Sequence, residues 1–355
     1  MRLLAEAREL LLRHQTELFE RAGATRILIV PGREDGAASS TGSFGERLVS
    51  LIRAEGIERL VVMGGGAVPR LSMRDAERLV EVAYGARRRA STDGRRASTN
   101  NRYSSDVCAI SDAAALADLP PLPTDNALPR WLEERAGFTV RDLPGRDRLA
   151  LDLDTPLDLA LLSLAPRAPR PLVELADKHA LTVPRLDRLR SLAADPRKEL
   201  LVSGRSGSRT LRWLERNVRC RVRFLAEERG LRASSALAIS AEVGDHVARH
   251  PRATLGRLLE AADGPASLAS IVGDLADGAI IDSRVLMADR YGNEDAWPSA
   301  ADRFASDLLR ADQVHDEWLG ALTRAAAAAT IPILLGAHTL VGPGIPLLLR
   351  RSSRE

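Results

Sequence analysis

The sequence contains few lysines and few aromatic residues. Of its 355 residues, only Lys178 and Lys198 are lysines, and 3% are aromatic. Any phosphate site in the part before Lys178 must therefore use arginine, backbone N–H groups or a metal ion. The scarcity of rings argues against an aromatic cage or a base-stacking platform as the organising feature of a site.

The sequence also lacks a cysteine framework, a long apolar run and a strong excess of one charge. Cys108 and Cys220 are far apart and fit no metal-ligand spacing, which indicates free thiols in a reducing cytoplasm. No apolar segment approaches the roughly 20 residues of a membrane span. The formal net charge of +3 does not predict nucleic-acid binding. We expect a cytoplasmic protein without membrane or nucleic-acid partners. A homo-oligomer is possible on this sequence.

The order of apolar and polar segments predicts two α/β domains. Over residues 1–164, helices alternate with apolar strands such as "TRILIVPG", "ERLVVM", "VCAISD" and "FTVRDLP", which predicts a mostly parallel sheet flanked by helices. The polar stretch 89–106 predicts a long surface loop. Proline and arginine concentrate at 165–172, the predicted linker. Residues 173–355 again alternate, with strands at "ELLVSG", "CRVRFLAEERG", "AIIDSRVLMAD" and "IPILLGAHTLVG".

The segment "LALDLDTPLDLALL", residues 149–162, combines a strand pattern with a helix start. Alternating leucines predict a short strand with its leucines buried and Asp152 and Asp154 on the other face. Thr155 predicts a helix N-cap, followed by Pro156 at the first helical position. On the residues alone, the two acids suit either a capped, charged strand end or a binding site.

Three stretches of the first half resemble the nucleotidyltransferases of the nucleotide-diphospho-sugar transferase fold. The resemblance lies nearest to the molybdopterin and phospholactate guanylyltransferase branch, described as NTP transferase-like, and covers roughly residues 20–164. The matching stretches are "IERLVVMGGGAVPRLSMRDAERLV", "PTDNALPRWLEERAGFTVRDLP" and "LDLDTPLDLALL". The last is the most specific, because an acid, Thr-Pro and a second acid follow one another in fixed order.

The resemblance implies metal-dependent transfer of a nucleotidyl group from an NTP to a phosphorylated small molecule. It implies Mg²⁺ as cofactor, with Asp152 or Asp154 as its carboxylate ligand and Asp158 supporting the helix start. Backbone at Gly64, Gly65 and Gly66 would approach the nucleotide closely.

The sequence departs from the family pattern in two ways. It begins with a helix where the family has a strand, a glycine loop and a lysine. A glycine in "GGGAVP" stands where the family places an aspartate, so one expected metal ligand is missing. Asp106 is the candidate to replace that ligand.

The polar stretch itself offers nucleotide-binding candidates. Asn100, Asn101 and Arg102, followed by Tyr103 and Ser104, could bind a polar ligand, because consecutive asparagines there have no evident folding use. The arginines before them suit either phosphate binding or a solvated loop; they are Arg87, Arg88, Arg89, Arg95 and Arg96.

The second half carries further candidates, for which a structural role remains the alternative. Arg205 and Ser206 lie in a glycine turn between a strand and a helix, which suits anion binding or a simple turn. Polar residues at strand ends often line the crevice of α/β domains; here they are Glu227, Asp282 and Arg284. His338 follows a buried strand. Asp312, His315 and Asp316 are spaced to share one face of a helix.

The function expected from the sequence is therefore nucleotidyl transfer. Two alternatives stay open: a non-catalytic protein that binds a nucleotide or phosphorylated metabolite, and an activity that resides in the second domain.

Overall fold

The computed structural model describes residues 2–30, 42–84, 94–122, 124–227, 252–292 and 294–350. The chain forms two compact units. The N-terminal unit is Ala5–Leu153, and the C-terminal unit is Asp154–Glu355 together with Met1–Leu4. The predicted linker at 165–172 thus lies inside the C-terminal unit. The reason is that the helix at 156–163 packs against several helices of that unit.

The N-terminal unit is built on a four-stranded mixed sheet. Its helices are α1 (Arg2–Arg21), α2 (Phe44–Glu55), α3 (Met73–Tyr84), α4 (Leu128–Glu134) and α5 (Arg146–Leu149), and its strands are β1 (Leu60–Met63), β2 (Arg96–Thr99), β3 (Val107–Ile110) and β4 (Thr139–Asp142). The strand order is β1-β3-β2-β4. Strand β3 runs antiparallel to β1 and β2, while β2 and β4 are parallel. The mostly parallel sheet expected over residues 1–164 is therefore not found in this unit, because the short connection from β2 to β3 leaves no room for a parallel crossover.

Helices cover both faces of this sheet. Val107 and Ala109 of β3 pack in one apolar cluster with residues of α1 and α3. The alternating residues Cys108 and Ile110 pack in a second cluster with residues of α2 and α4. Because successive strand side chains point to opposite faces, these two clusters are the two sides of a three-layer α/β/α arrangement.

Three local predictions for this unit differ from the structure. Residues 25–30 form no strand, and Ile29 and Val30 are more than half exposed. The predicted loop at 89–106 contains β2, an inner strand whose small residues are buried between β3 and β4. Residues 150–153 make only a bridge between Asp152 and Ala67, although their leucines are buried as predicted. The arginines at 87–89 lie outside the described residues.

The C-terminal unit is built on a four-stranded parallel sheet. Its helices are α6 (Pro156–Ser163), α7 (Arg170–Lys178), α8 (Leu186–Ala194), α9 (Ser208–Asn217), α10 (Thr254–Ala261), α11 (Leu268–Leu275), α12 (Ser283–Tyr291), α13 (Ala300–Asp307), α14 (Glu317–Ala328), α15 (His338–Val341) and α16 (Ile345–Leu349); its strands are β5 (Glu199–Gly204), β6 (Arg221–Ala226), β7 (Gly278–Asp282) and β8 (Ile333–Gly336). The strand order is β6-β5-β7-β8.

The α/β class predicted from the sequence is confirmed. Four of the six strand pairings in the described residues are parallel, and both antiparallel pairings belong to the first sheet. Strands β7 and β8 are buried along their whole length, as expected for parallel strands covered on both faces. In the described part of the chain, no helix combines the length and apolar character needed to cross a membrane.

The parallel direction of β5 to β8 places their carboxyl ends on one edge of the sheet, where ligands bind in open α/β folds. At this edge β5 ends in Gly204, which has φ +141°. A Cβ atom on Gly204 would stand 2.2 Å from the Cβ of Asp282 at the end of β7. Glycine is therefore required here by both backbone conformation and space.

We expect Gly204→Ala to lower the free energy of unfolding by at least about 3 kcal/mol, because it combines backbone strain with overpacking. Gly207→Ala is the matched control. The backbone there is extended and nothing lies within 4 Å of an added Cβ, so we expect a loss below about 1 kcal/mol. Urea unfolding of both variants measures the difference, and equal losses would contradict the steric argument.

Candidate functional site

The three glycines after β1 form a tight turn in the N-terminal unit. The Gly64 N–H donates to the Asp106 carbonyl at 3.0 Å. Gly65 is exposed and has open space around it. Gly66 has φ +89°, and a Cβ there would stand 3.3 Å from the Leu153 carbonyl. The turn therefore leaves backbone exposed at Gly65 and is held tightly at Gly66.

Two carboxylates lie beside this turn. The Oδ2 atom of Asp125 lies 3.7 Å from the position of a Cβ on Gly64, and Asp152 forms its backbone bridge with Ala67. Burial raises the pKa of Asp125, and repulsion from Asp152 raises it further. We call Gly64–Ala67, Asp125 and Asp152 the Gly64 site.

The side chain of the neighbouring Asn100 is engaged in hydrogen bonds within the N-terminal unit. Its buried Nδ2 donates to Asp106 Oδ2 at 2.6 Å and to the Leu149 carbonyl at 2.8 Å. Its Oδ1 accepts the N–H groups of Asp106 and Val107. The side chain joins three segments of the N-terminal unit, so Asn100 has a role in the fold that its sequence neighbourhood does not show.

Arg102 and Asn101 are likewise engaged within the unit. The Arg102 guanidinium bonds both oxygens of Glu133 at 3.0 Å and the Val140 carbonyl at 2.9 Å. Asn101 Oδ1 accepts the N–H of Tyr103 at 3.2 Å. Tyr103 itself is 66% exposed.

The predicted metal ligands are divided between the two units. Asp154 belongs to the C-terminal unit, where it is exposed. The Asp106 carboxylate accepts the Asn100 amide. In the ranges that the structure describes, no three or more histidine, cysteine or acidic residues are grouped to hold a metal. Mg²⁺ needs only one or two carboxylates when waters and substrate phosphates complete its octahedron. The donor set of Asp125 with Asp152 therefore fits Mg²⁺.

The carboxyl edge of the parallel sheet brings together several predicted residues of the C-terminal unit. Asp282 is buried at the end of β7 and accepts Arg205 Nε at 2.7 Å and Arg205 Nη2 at 3.2 Å. It also accepts the N–H of Arg284 at 3.1 Å and so caps α12. One carboxylate thereby holds the turn after β5 against the start of α12.

A second arginine–carboxylate pair lies beside the first. The buried guanidinium of Arg284 bonds both oxygens of Asp307, with Nη2 to Oδ2 at 2.6 Å. Burial acts to lower the pKa of Arg284, but the Asp307 carboxylate outweighs burial and the net shift is upward. Burial raises the pKa of Asp307, and the charge and hydrogen bonds of Arg284 oppose that rise. The two-pronged geometry is that of an arginine–carboxylate ion pair.

Asp158 completes the group from α6. Its Oδ2 accepts the N–H groups of Asp154 at 3.1 Å and Thr155 at 2.8 Å, and Thr155 Oγ1 accepts the Asp158 N–H in return. Burial and, secondly, repulsion from Asp154 raise the pKa of Asp158 to about 7, while His338 opposes the rise. The predicted Thr155 cap is confirmed.

We call the charged residues at this edge the strand-end cluster; they are Asp158, Arg205, Asp282, Arg284, Asp307 and His338. Five separate segments of the C-terminal unit supply them. His338 is half-buried at the start of α15, directly after β8. Ser206 ties the turn after β5 to α15, because its Oγ donates to the Val341 carbonyl at 2.6 Å.

Other predicted residues lie outside this cluster. Glu227 Oε1 accepts the Thr254 N–H at 2.9 Å and so caps α10. The expectation that Asp312, His315 and Asp316 share a helix face is wrong. Asp312 lies in a short 3₁₀ turn, and Asp316 is the N-cap of α14, so the chain changes direction between them. His315 is exposed and contacts Asp302.

Asp125 and Asp307 are two residues of these sites that no sequence pattern predicted. Asp125 precedes α4 within a stretch typical of helix caps, so no local pattern separates it from a capping residue. Asp307 ends α13, and its partner Arg284 lies 23 residues away in sequence. The signal for Asp307 could have come only from Arg284, because an arginine that follows the buried strand β7 needs an acidic partner.

Comparison of the chain with protein-family models, with curated proteins and with solved structures finds no match.

The bonds of Asn100 predict a stability role. We expect Asn100→Ala to lower the free energy of unfolding by about 2–4 kcal/mol, because buried groups of Asp106 and Leu149 lose their partner. Asn101→Ala is the matched control, with an expected loss of about 1 kcal/mol or less. Chemical unfolding measures both, and similar losses would show that Asn100 is not the joining residue.

The raised pKa of Asp158 predicts a pH effect. Its pKa is about 7 in the folded protein against an ordinary value of 3.8 for this side chain, so the folded state keeps a proton that the unfolded chain has released. This contribution to stability is lost as pH rises from about 4 to about 7. Relative to wild type, Asp158→Asn should gain about 2–4 kcal/mol between about pH 4 and pH 8, measured by unfolding at each pH.

Glu46→Gln provides the control for this measurement. Glu46 completes an exposed capping box at α2, where bonds from Ser43 lower its pKa. A lowered carboxyl pKa has the opposite sign, so the variant should not gain on wild type as pH rises. A flat difference for Asp158→Asn would contradict the raised pKa.

Proposed function

We propose that this protein is a metal-dependent nucleotidyltransferase that uses the Gly64 site to bind Mg²⁺ and a nucleoside triphosphate. The acceptor would be a phosphorylated small molecule, as the resemblance of the first half implies. The observation that carries the proposal is the Asp125–Asp152 pair beside the exposed backbone of Gly65. Carboxylates that repel one another are stabilised when a cation lies between them.

In nucleotidyl transfer the protein itself contributes little covalent chemistry. An acceptor phosphate oxygen attacks the α-phosphorus of the NTP, the new P–O bond forms, the bond to the β-phosphate breaks, and pyrophosphate leaves. Mg²⁺, when bound, would neutralise charge on the phosphate oxygens. Asp125 and Asp152 would hold the ion, and Gly65 would let the nucleotide approach the backbone without a clash.

An exposed aromatic side chain near the Gly64 site supports nucleotide binding. The loop that carries Tyr103 is tied to the segment that carries Asp125, because Ser104 Oγ donates to Asn126 Oδ1 at 2.7 Å. A solvent-exposed ring can stack on a base of any identity. Tyr103 would therefore hold the base beside the phosphates.

One observation favours a second candidate, a nucleotide-binding protein without transfer activity. Asn100 is engaged in bonds within the unit, and the charge of Arg102 is paired with Glu133. These side chains are therefore directed to the fold rather than to a leaving pyrophosphate. A protein that binds a nucleotide without transferring it would use the same two carboxylates and the same glycine turn.

We expect each proposal to give a distinct result with the full-length protein. An NTP with Mg²⁺ should raise the apparent melting temperature, because ligand at 100 times its Kd adds about 2.7 kcal/mol to stability. The shift should need Mg²⁺ and should disappear in Asp152→Asn. Pyrophosphate release on addition of phosphorylated acceptors separates transfer from binding alone.

Asp112→Asn is the matched control for this test. Asp112 follows the other end of β3 and pairs with Arg95 at the surface, so this variant should keep the Mg²⁺–NTP shift. If none of the four NTPs with Mg²⁺ changes the melting temperature, both nucleotide proposals fail.

A further inference from the structure

Strand β6 is the outermost strand of the parallel sheet in the part of the chain that the structure describes. Strands β7 and β8 are buried at every residue, whereas every residue of β6 is half-buried or exposed. Parallel sheets are normally covered on both faces, so β6 is the open side of this sheet. An outermost strand also presents backbone N–H and C=O groups with which another strand can pair.

The backbone N–H groups of β6 alternate between β5 and the outer edge of the sheet. The Arg221 N–H donates to the Lys198 carbonyl, on the side of β5, at 2.8 Å. The register between β5 and β6 continues unbroken from Arg221 to Ala226. Successive N–H groups of a strand point to opposite sides, so those of Val222 and Phe224 point away from β5. These are the groups to which an added strand would bond.

The side chains of β6 alternate between arginine and apolar residues. Arg221 and Arg223 lie on one face of the sheet, and Val222 and Phe224 lie on the other. Both arginines are exposed, and both apolar side chains are half-buried. A strand that paired with the outer edge of β6 would therefore meet positive charge on one face and apolar surface on the other.

Arginine dominates the chain around this edge. Residues 204–226 contain seven arginines and one acid, Glu215, and so carry more positive charge than the whole chain, whose net charge is +3. Arg223 lies 3.1 Å from Glu199 of β5, while Arg221 forms no salt bridge with any residue in the described part of the chain. Acidic side chains would be attracted here. A second copy of β6, paired antiparallel, would instead bring its own arginines to the same face, which is unfavourable.

We propose that the outer edge of β6 binds an extended segment of a partner protein, in which acidic and apolar residues alternate, as an added strand. The acidic side chains pair with Arg221 and Arg223, and the apolar side chains cover Val222 and Phe224. Backbone hydrogen bonds supply affinity, and the alternation of side chains supplies specificity. A segment as long as β6, which has 6 residues, spans the edge. This surface belongs to the C-terminal unit and is independent of nucleotidyl transfer.

Two fluorescently labelled peptides of identical composition test the pattern. One alternates glutamate and valine over a length matched to β6, and the other has all its glutamates before its valines. Their charges are equal, but only the first can place acids on one face and valines on the other. Fluorescence anisotropy with the full-length protein, without nucleotide or Mg²⁺, gives both affinities. We expect the alternating peptide to bind at least about tenfold more tightly, and added salt to weaken its binding by screening exposed charges.

Paired variants test the side chains and the backbone separately. Arg221→Gln should weaken binding of the alternating peptide by about fivefold. Arg170→Gln, which changes an exposed arginine on α7 of the same unit, should leave the affinity unchanged. Val222→Pro removes an N–H that points to the outer edge, a position where an edge strand tolerates proline. It should abolish the preference for the alternating peptide, whereas Val222→Ala should keep that preference.

Hydrogen–deuterium exchange of wild-type β6 gives a readout that needs no variant. Saturating alternating peptide should slow exchange at Val222 and Phe224, because an added strand bonds their N–H groups.

The proposal is overturned by equal affinity for the two peptides, by no saturable binding of either, by full affinity in Arg221→Gln, by a retained preference in Val222→Pro, or by unchanged exchange in β6. Tighter binding of single-stranded oligothymidylate than of the alternating peptide would also overturn it and would assign this edge to a nucleic acid. A melting curve of each variant separates loss of the surface from loss of the fold. Because the titrations contain no nucleotide, their failure leaves the nucleotidyltransferase proposal standing.

Discussion

The burial of Asp158 is the constraint on which the architecture of the C-terminal unit depends. A carboxylate removed from water needs hydrogen bonds, opposite charge or a proton. Two backbone N–H groups at the start of α6 supply bonds to one oxygen. The neighbouring Asp307 is neutralised by Arg284, which is why the cluster can hold a third acid without an equal number of arginines. The negative charge of Asp158 that these interactions do not offset is reduced by a proton near neutral pH.

Several aspartates in the structure lie against glycines, and this close approach explains the positions of both sites. Asp282 packs on Gly204, and a Cβ on Gly256 would stand 2.0 Å from Asp289 Oδ2. Asp125 lies beside Gly64 in the same way, at a looser distance. A glycine lets backbone N–H groups and carboxylates approach where a side chain would separate them. Glycine has more backbone freedom to lose on folding than other residues, and the neighbouring strands restrict that freedom.

Local signals in the sequence predicted what local interactions decide. The Thr155 cap, the buried leucines around it and the apolar strands β7 and β8 follow from patterns a few residues long. Strand β2 could not be predicted this way, because "RAST" is buried only through its pairing with β3 and β4. The "ILIV" segment misled for the opposite reason: its strand propensity is high, but it finds no partner strand among the described residues.

The two sites could be predicted only in part, because each depends on charges from distant segments. Glu227 after β6 and Asp282 at the end of β7 were expected at strand ends, but the pairing of Arg284 with Asp307 has no sequence spacing of its own. The difference between the sites is electrostatic. In the C-terminal unit, arginine neutralises two of the buried carboxylates, Asp282 and Asp307. In the N-terminal unit, Asp152 adds repulsion to Asp125, which favours a cation with its phosphates. The same residue type therefore lies in opposite electrostatic surroundings, according to whether arginine or a second acid lies beside it.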